Sequence, residues 1–386
     1  MPSIMVSCGE PSGDLYAGAL ARELRRLEPR VDIFGYGGPQ LAEAGGELVG
    51  DYRGYSVTGL AEVIRLLPRT LSMLRTLART ARERRPDVLV LVDLPDFNFR
   101  LGQAVHRLGI PVVYYVGPQF WAWRPARLQT MKAFVRKALV IFPFEAPLYR
   151  AAGVDVEFVG HPLLDLARAT RSRADVLGAL GLSPDAPTVA LLPGSRRNEL
   201  LRILPTLVEA LPLIRSRVAD VQFVVARAPG LDDGLFAPLG GAGERVGIAE
   251  GETDSVLAAS DVVVTASGTA TVQTAIHGRP MVIVYRLSPL TYRLGKPFVN
   301  VDTYGMVNLV AGRRIARELI QESFTPAAVA EEAVGLLRDP ERRARVEADL
   351  AGVVTSLGER GASARAARAV LALATERGPQ SNVVGR

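Results

Sequence analysis

Short runs of valine, isoleucine and leucine recur along the chain, and longer segments with helical spacing of apolar residues separate them. Most of the runs end at Gly, Asp, Ser or Pro. This alternation is typical of parallel β-α-β units, so we predict an α/β protein with two doubly wound parallel sheets. The predicted strands of the first half are residues 4–8, 31–36, 88–92, 112–116, 139–142 and 156–159. Those of the second half are residues 189–192, 222–226, 246–248, 262–265 and 281–285.

The length of 386 residues is sufficient for two domains with separate cores. We predict a first domain over residues 1–165, a linker over 166–187, a second domain over 188–339, and C-terminal helices with a frayed tail over 340–386. The linker is assigned because the segment has alternating charges, no strand signal and a Ser-Pro-Asp-Ala-Pro turn at its end. Two facing sheets of this kind would bind ligands at the carboxyl ends of their strands.

Composition narrows the class of protein only moderately. Hydrophobic residues make up 48% of the chain, but no run approaches the roughly 20 apolar residues that cross a bilayer. With no basic leader before the first strand, we expect a cytoplasmic protein. The single cysteine, Cys8, excludes an internal disulfide and a multi-thiolate metal site. The net charge of +6, mostly from arginine, fits an acidic partner or simply a high-GC genome, and no nucleic-acid motif is present.

Residues 8–14, Cys-Gly-Glu-Pro-Ser-Gly-Asp, follow the first predicted strand and open a helix. The glycines suit a tight turn or a close approach of the backbone to a ligand. Because no Gly-Lys-Ser/Thr follows, this is not a Walker motif. On local chemistry alone, an ordinary strand-to-helix turn capped by Asp14 is slightly favoured over a ligand-binding loop.

Residues 92–98, Val-Asp-Leu-Pro-Asp-Phe-Asn, place two carboxylates and an amide directly after a strongly apolar strand. A carboxylate at such a strand end can accept a proton from a sugar hydroxyl, because the fold fixes its geometry. We expect Asp93 to be this chemical group. Asp96 or Asn98 is expected to have the structural role of capping the next helix.

Both tryptophans of the chain, Trp121 and Trp123, lie beside Arg124 after another predicted strand. Aromatic faces next to a cation suit stacking on a sugar or on a lipid-bearing acceptor. A packing cluster under a loop is the commoner explanation of such a group.

Residues 60–85 predict an amphipathic helix bent near Pro68, with apolar residues that include Leu67 and Leu71 on one face and arginines on the other. Such a helix can lie on a membrane surface, where acyl chains and anionic headgroups meet. The pattern fits packing on a sheet equally well.

Two loops of the second half each join a predicted strand to a helix. Backbone N–H groups at a helix N-terminus and a guanidinium together suit a diphosphate. We predict a diphosphate site formed by the two loops, with Gly194, Ser195, Arg196, Ser267, Gly268 and Thr269 as its residues. The histidines are too scattered for a metal set, although His161, in Gly-His-Pro after a strand, is placed where it could touch substrate.

Taken in order, these segments resemble the lipid-A-disaccharide synthase family over nearly the whole chain. The resemblance is carried by residues 9–14, 93–98, 121–124, 142–145, 160–162, 192–196 and 266–270. It implies a GT-B fold of two facing Rossmann-like domains, with UDP held mainly by the second domain. It also implies UDP-2,3-diacylglucosamine as the donor, 2,3-diacylglucosamine 1-phosphate as the acceptor and work at the inner-membrane surface, and it suggests a homodimer.

The resemblance also assigns residues. The family's essential aspartate corresponds to Asp93 and its diphosphate-loop arginine to Arg196, while further donor-site positions correspond to Arg286 and Asn308. The chain has Gln273 where the family has a glutamate that can bind ribose, and Val307 in place of a proline. On the acceptor or lipid side we predict Glu10, Ser12, Asp96, Asn98, Trp121, Trp123, Arg124, Leu67 and Leu71.

The implied reaction is an inverting transfer in which the acceptor 6-hydroxyl attacks the anomeric carbon of the donor and UDP departs. Asp93 would take the proton, and no cofactor or metal is expected, because no Asp-X-Asp pair lies near the diphosphate loops. The alternatives are another GT-B enzyme, either a peptidoglycan N-acetylglucosaminyltransferase or a UDP-sugar 2-epimerase, and a catalytically silent glycolipid-binding protein.

Overall fold

The computed structural model describes residues 1–55, 60–118, 126–288 and 303–376. Its contacts divide the chain into two compact units, Met1–Pro162 with Leu357–Arg386, and Leu163–Ser356. No helix within the described residues is both long and apolar enough to cross a bilayer.

The first unit is a seven-stranded sheet in the order β3-β2-β1-β4-β5-β6-β7. Every adjacent pair of strands is parallel. Its strands are β1 (Ser3–Ser7), β2 (Asp32–Gly37), β3 (Glu47–Asp51), β4 (Val88–Val92), β5 (Val112–Tyr115), β6 (Lys137–Val140) and β7 (Val156–Phe158). The helices among them are α1 (Pro11–Leu27), α2 (Pro39–Glu43), α3 (Leu60–Arg84), α4 (Pro95–His106), α5 (Ala126–Met131) and α6 (Glu145–Ala151), with a 3-10 helix at Tyr52–Tyr55.

The second unit is a six-stranded sheet in the order β10-β9-β8-β11-β12-β13, again parallel throughout. Its strands are β8 (Thr188–Leu192), β9 (Gln222–Arg227), β10 (Val246–Glu250), β11 (Val262–Ala266), β12 (Met281–Tyr285) and β13 (Arg317–Ile320). Its helices are α7 (Leu163–Leu166), α8 (Arg173–Ala179), α9 (Arg197–Arg215), α10 (Thr253–Ala258), α11 (Thr269–Ile276), α12 (Met306–Ala311), α13 (Pro326–Arg338) and α14 (Pro340–Ser356), with 3-10 helices at Asp233–Gly241 and Gln321–Ser323.

The final helix, α15 (Ala362–Glu376), returns to the first unit and packs against α1. Its buried side includes Ala366, Val370 and Leu373. The residues predicted as one C-terminal helical segment, 340–386, are therefore divided between the two units, because α14 packs on α11, α12 and α13 whereas α15 packs on α1.

The predicted linker, residues 166–187, lies within the second unit. Arg171 pairs with Glu252 at 2.9 Å, and Arg173 pairs with Asp261 at 3.0 Å. Val176 of α8 is buried in the core of this unit. The charges that looked like those of a solvated linker are thus partnered by the domain that follows.

All eleven predicted strands are present, some with shifted ends, and two edge strands were missed. Strand β4 is easily recognised because all five of its residues are buried, as in a strand covered on both faces. Strands β3 and β13 lie at sheet edges and are only partly buried, so charged residues interrupt their apolar pattern.

Helix α3 is present as predicted, with Pro68 inside it. Within its C-terminal half, Leu77 and Ala81 are fully buried in the core of the first unit. Arg84, predicted to belong to a cationic surface, instead pairs with Glu47 at 2.8 Å and Asp32 at 3.2 Å. This half of the helix is therefore a core element.

Each sheet has one point where the chain reverses its direction of strand addition, between β1 and β4 in the first unit and between β8 and β11 in the second. Ser7 pairs with Leu91, and Leu192 pairs with Thr265, so the loops after these strands leave side by side. Ligands of open α/β sheets bind at such switch points. The four candidate loops that lie there are residues 8–14, 92–98, 192–196 and 266–270.

Candidate functional site

Asp93 lies in a strained turn at the switch point of the first sheet. Asp93 and Leu94 both have φ of +49°, a left-handed conformation that is uncommon outside glycine. Strain of this kind costs about 1–3 kcal/mol per residue and persists only where surrounding contacts hold it. The turn presents a partly exposed carboxylate at the end of a fully buried strand.

Asn98 holds this turn in place. Its Nδ2 donates to the main-chain oxygens of Asp93 at 2.8 Å, Ser7 at 3.1 Å and Val92 at 3.2 Å, and its Oδ1 accepts from Ser7 Oγ at 2.7 Å. The side chain is fully buried. The structure therefore assigns Asn98 to the support of Asp93 and not to the predicted acceptor surface.

Tyr114 supports the same turn from strand β5. Its hydroxyl donates to the main-chain oxygen of Asp93 at 2.8 Å. Burial, together with the nearby charge of Asp93, raises the pKa of Tyr114. The phenol thus stays protonated and keeps its donor role.

Asp96 lies on the surface in the first turn of α4. Its carboxylate pairs with Arg127 Nη1 at 2.6 Å and is otherwise largely exposed to solvent. Asp96 is accessible as the acceptor prediction requires, and its contact with an acceptor stays a prediction.

Gly9 brings the 8–14 loop against the Asp93 turn. A Cβ added at Gly9 would lie 2.4 Å from Leu94 Cδ2, so no other residue fits without displacing Leu94. Glu10, which precedes α1, and Ser12, in its first turn, are both partly exposed on this side. Their predicted contact with the acceptor is compatible with that position and stays a prediction.

Asp14 was expected to cap its own helix, and that expectation is wrong. Its buried carboxylate accepts the backbone N–H groups of Gly38 at 2.9 Å, Gln40 at 2.9 Å and Leu41 at 3.2 Å. It therefore fixes the start of α2. Burial, followed by the charge of Asp14, raises the pKa of the neighbouring Cys8 thiol, which stays protonated.

His161, placed by its motif where it could touch substrate, is buried within its unit. The ring is buried, with Phe142 at 5.1 Å and Tyr16 at 6.0 Å between centroids. Burial lowers the pKa of His161 to about 3. The imidazole is therefore a neutral packing group at neutral pH.

Several predicted acceptor contacts lie outside the described part of the molecule. These are Trp121, Trp123 and Arg124, together with the side chain of Leu67. Leu71 is described and is half-buried on α3.

In the second unit, the carboxylate of Glu199, from the first turn of α9, binds the loop after β8. Glu199 Oε2 accepts the backbone N–H of Ser195 at 3.0 Å and that of Arg196 at 3.3 Å. Glu199 Oε1 lies 3.0 Å from Arg196 Nη1. Gly194 has φ of +117°, and a Cβ there would lie 2.4 Å from Glu199 Oε2. The Ser195 N–H predicted to bind phosphate thus binds a carboxylate, as does the Arg196 N–H, while the Arg196 side chain, predicted to supply a guanidinium, remains 48% exposed.

The N-terminus of α11 is different. Gly268 has φ of +142°, and Ser267 Oγ donates to the main-chain oxygen of Tyr304 at 2.8 Å. Within the described residues, the N–H groups of Gly268, Thr269 and Ala270 have no acceptor. Open amides at a helix N-terminus attract an anion. This is the stronger of the two predicted diphosphate positions.

Arg286 is engaged within the unit. Its Nη1 donates to Thr206 Oγ1 at 2.8 Å, its Nη2 donates to the main-chain oxygen of Phe324, and the guanidinium lies 4.7 Å from the centre of the Phe324 ring. These contacts make Arg286 a tie between β12, α9 and the segment before α13. Its predicted contact with the donor stays a prediction.

Asn308, predicted in the donor site, is buried. Its Oδ1 accepts the N–H groups of Ile315 at 2.8 Å and Ala316 at 2.9 Å, and its Nδ2 donates to Glu318 Oε1 at 2.7 Å. Glu318 in turn accepts the N–H groups of Tyr304 and Gly305. Because Tyr304 also receives the Ser267 hydroxyl, Asn308 reaches the α11 loop through Glu318 and not by direct contact with a ligand.

Gln273 lies on α11 and donates from Nε2 to Asp254 Oδ1 at 3.2 Å. His277 Nε2 lies 2.8 Å from the same oxygen. Sequence reasoning missed Asp254 and Glu318, which follow no motif. Glu199 could have been found, because a glutamate three residues after a helix-capping position is a known N-terminal pattern. Among the described residues, no group of three or more His, Cys, Asp or Glu side chains could hold a metal ion.

Comparison with known proteins adds to this geometry. The family model for lipid-A-disaccharide synthetase matches residues 4–373. The lipid-A-disaccharide synthase of Syntrophus aciditrophicus is 41% identical over 372 residues, which cover 96% of this chain and 97% of the relative. That of Myxococcus xanthus is 43% identical over 373 residues, with the same coverage of 96% and 97%.

Solved structures bear on the fold. UDP-GlcNAc 2-epimerase from Neisseria meningitidis, bound to UDP-GlcNAc, superposes with a TM-score of 0.69 at 13% identity, covering 96% of this chain and 100% of that one. The calicheamicin glycosyltransferase superposes with a TM-score of 0.63 at 20% identity, covering 98% and 100%. These likenesses confirm the predicted GT-B fold and leave the choice of activity to the family match. That match confirms the predicted enzyme class and favours it over the epimerase, peptidoglycan and silent-binding alternatives. The chain belongs to the lipid-A-disaccharide synthase family.

Proposed function

We propose that this protein joins UDP-2,3-diacylglucosamine to 2,3-diacylglucosamine 1-phosphate and releases UDP. The observation that carries the proposal is the position of four of the family's motif segments, residues 9–14, 93–98, 192–196 and 266–270, at the switch points of the two sheets. A carboxylate ends the apolar strand at one switch point, and open helix amides with an arginine lie at the other. Such a pair of sites suits the transfer of a sugar from a nucleotide to a hydroxyl.

Asp93 acts as the general base in this proposal. The acceptor 6-hydroxyl gives its proton to the Asp93 carboxylate while its oxygen bonds to the anomeric carbon, and the bond from that carbon to the UDP oxygen breaks on the opposite face. The buried amide of Asn98 and the Tyr114 hydroxyl fix the backbone of the turn. Fixed geometry favours proton transfer because the base need not reorganise.

On the donor side, the diphosphate binds the N-terminus of α11. The N–H groups of Thr269 and Ala270 are the open donors at this end of the helix. The preceding Ser267 is held in place because its hydroxyl donates to the main-chain oxygen of Tyr304. Arg196 supplies the guanidinium that stabilises charge on the departing UDP, and its ion pair with Glu199 keeps it beside the loop. The backbone N–H groups of Ser195 and Arg196 support the loop through Glu199 instead of binding phosphate directly.

The experiment that tests the proposal is product formation from purified donor and acceptor, followed by mass spectrometry of the lipid product and by release of UDP. Release of UDP with a lipid disaccharide is expected. Conversion of UDP-N-acetylglucosamine at C2, or transfer to a peptidoglycan precursor, would overturn it. Excess EDTA is expected to leave the rate unchanged, and a strict need for magnesium would contradict the metal-free scheme.

We also propose that the protein docks on the inner-membrane surface through the N-terminal half of α3, where acceptor lipid enters. Acylated sugars reside in the bilayer, and Leu71 is partly exposed beside the exposed Arg69 and Arg75. Leu67→Ser with Leu71→Ser should reduce sedimentation with phosphatidylglycerol vesicles, while Leu213→Ser, at an exposed leucine of the other unit, should not. Unchanged sedimentation accompanied by lost stability would show that this half of the helix is also core.

A further inference from the structure

A carboxylate that belongs to none of the recognised motifs lies beside α11 in the second unit. Asp254 is in the first turn of α10, just after strand β10, and its side chain is 22% exposed. Oδ1 receives Gln273 Nε2 at 3.2 Å and lies 2.8 Å from His277 Nε2. Within the described residues, Oδ2 has no hydrogen-bond partner. One oxygen is thus fixed and the other is available.

The amide at position 273 suits this neighbour. An amide donates a hydrogen bond to a carboxylate, whereas a glutamate at the same place would put two negative charges at about hydrogen-bond distance and force one of them to take up a proton. Gln273 and Asp254 therefore form a complementary pair with one negative charge between them. The charge that the family resemblance implies on α11 lies instead on α10.

The pair lies where the nucleoside of a bound donor would reach. Gln273 is four residues, or about 6 Å along the helix axis, beyond Thr269 at the start of α11. If the β-phosphate of UDP binds at that N-terminus, the α-phosphate separates it from the ribose. The ribose would then lie alongside the first two turns of the helix, at Gln273 and Asp254.

We propose that Asp254 is the carboxylate that receives the vicinal hydroxyls of the donor ribose, with His277 as a positioning residue and Gln273 holding Asp254 through its amide N–H. This inference rests on the proposed UDP donor. A carboxylate is the strongest acceptor for a diol, because both hydroxyls can donate to a charged group. Gln273 contributes its amide oxygen as a further acceptor at the same place.

The test compares binding of UDP and of 2′,3′-dideoxy-UDP by calorimetry. The unmodified protein should prefer UDP. Asp254→Asn should weaken UDP binding about 10- to 100-fold and dideoxy-UDP binding little, since hydrogen bonds to a charged group are lost only where the diol is present. Asp185→Asn, which removes the same charge from an exposed loop of the same unit, is the matched control and should change neither.

The exchange variant, Asp254→Asn with Gln273→Glu, moves the carboxylate from α10 to α11 and preserves the hydrogen bond between the two side chains. It should recover the preference for UDP over dideoxy-UDP that Asp254→Asn loses. If Asp254→Asn does not fold, the exchange variant and Gln273→Glu still decide the question. Gln273→Glu alone should weaken UDP, because it places a second carboxylate against the first.

Two failures are distinguishable. If the unmodified protein binds neither nucleotide, the donor assignment of the proposed function fails. If it binds UDP, and Asp254→Asn retains the full preference for UDP over dideoxy-UDP, the donor site stands and the Asp254 inference is overturned.

Discussion

Asn98 Nδ2 donates to the main-chain oxygen of Asp93 at 2.8 Å, and the same amide reaches the main chain of Ser7 on the neighbouring strand. The contact ties the strained Asp93 turn to the sheet at its switch point. Asn98, five residues beyond Asp93 in the sequence, therefore decides where the carboxylate lies.

Asn98→Ala should lower turnover with little change in donor KM, because the base moves while the donor site, in the other unit, is untouched. Stability should fall by roughly 1–3 kcal/mol for each buried group left without a partner. Turnover and chemical denaturation are measured on the same preparation. Lost stability with unchanged turnover would leave Asn98 a purely structural residue.

Asp93→Asn should reduce turnover by roughly 10²- to 10⁴-fold, the usual scale for loss of a general base. An amide matches the shape of the carboxylate but cannot take a proton. UDP affinity, measured by calorimetry, should not change. Near-normal turnover would remove Asp93 from the mechanism.

Arg196→Ala should weaken UDP binding by about 1.5–3 kcal/mol, the range for a hydrogen bond to a charged group. Arg197→Ala is the matched control, since Arg197 is the next residue and is also exposed. Equal losses in both variants would indicate a general charge effect instead of a contact between Arg196 and the diphosphate.

Asn308→Ala should lower stability and UDP affinity together. The substitution leaves the N–H groups of Ile315 and Ala316 without an acceptor, at roughly 1–3 kcal/mol each, and releases Glu318 from one donor. Glu318 then holds Tyr304 less firmly, and with it the main-chain oxygen that accepts the Ser267 hydroxyl. Urea denaturation and calorimetry test this. Normal stability with abolished UDP binding would instead support the original prediction that Asn308 contacts the donor directly.

His161 makes stability depend on pH. Its folded pKa of about 3 lies below the ordinary value of 6.5, so the neutral form is favoured by folding. The stabilisation is full above pH 6.5 and is lost as the pH falls toward 3, at up to about 1.4 kcal/mol per unit. Denaturation of the protein and of His161→Gln at pH 7.5, 6 and 5 measures the difference. Parallel pH slopes in the two proteins would contradict a buried neutral imidazole.

The interior strands could be predicted because their cause is local. Strand β4 is buried on both faces, so its five residues are all apolar, and the chain around it needs little else to specify a parallel sheet. The edge strands β3 and β13 could not, because their residues are only partly buried and include charged residues that also suit loops.

The site was predicted to the level of its loops. Asp93 and the Ser267 loop each follow a strand. Because ligands bind at the carboxyl ends of parallel strands, the pattern of strands was enough to predict that each lies in a ligand site of its own sheet. The partners of individual polar side chains did not. The amides of Asn98 and Asn308 have the same chemistry in sequence as an amide that faces a ligand, and only their burial distinguishes the two.

The sequence by itself determined the family, the alternation of strands and helices and the strand ends where chemistry occurs, because these depend on the order and type of neighbouring residues. Only the tertiary structure decided that Glu199 occupies the backbone N–H groups of Ser195 and Arg196, that Asp14 caps α2, and that Asp254 stands beside Gln273. Contacts such as those of Asp14 and Asp254 join residues that are distant in sequence. A carboxylate binds the nearest open donor in space, and which donor is nearest is fixed by the packing of whole elements.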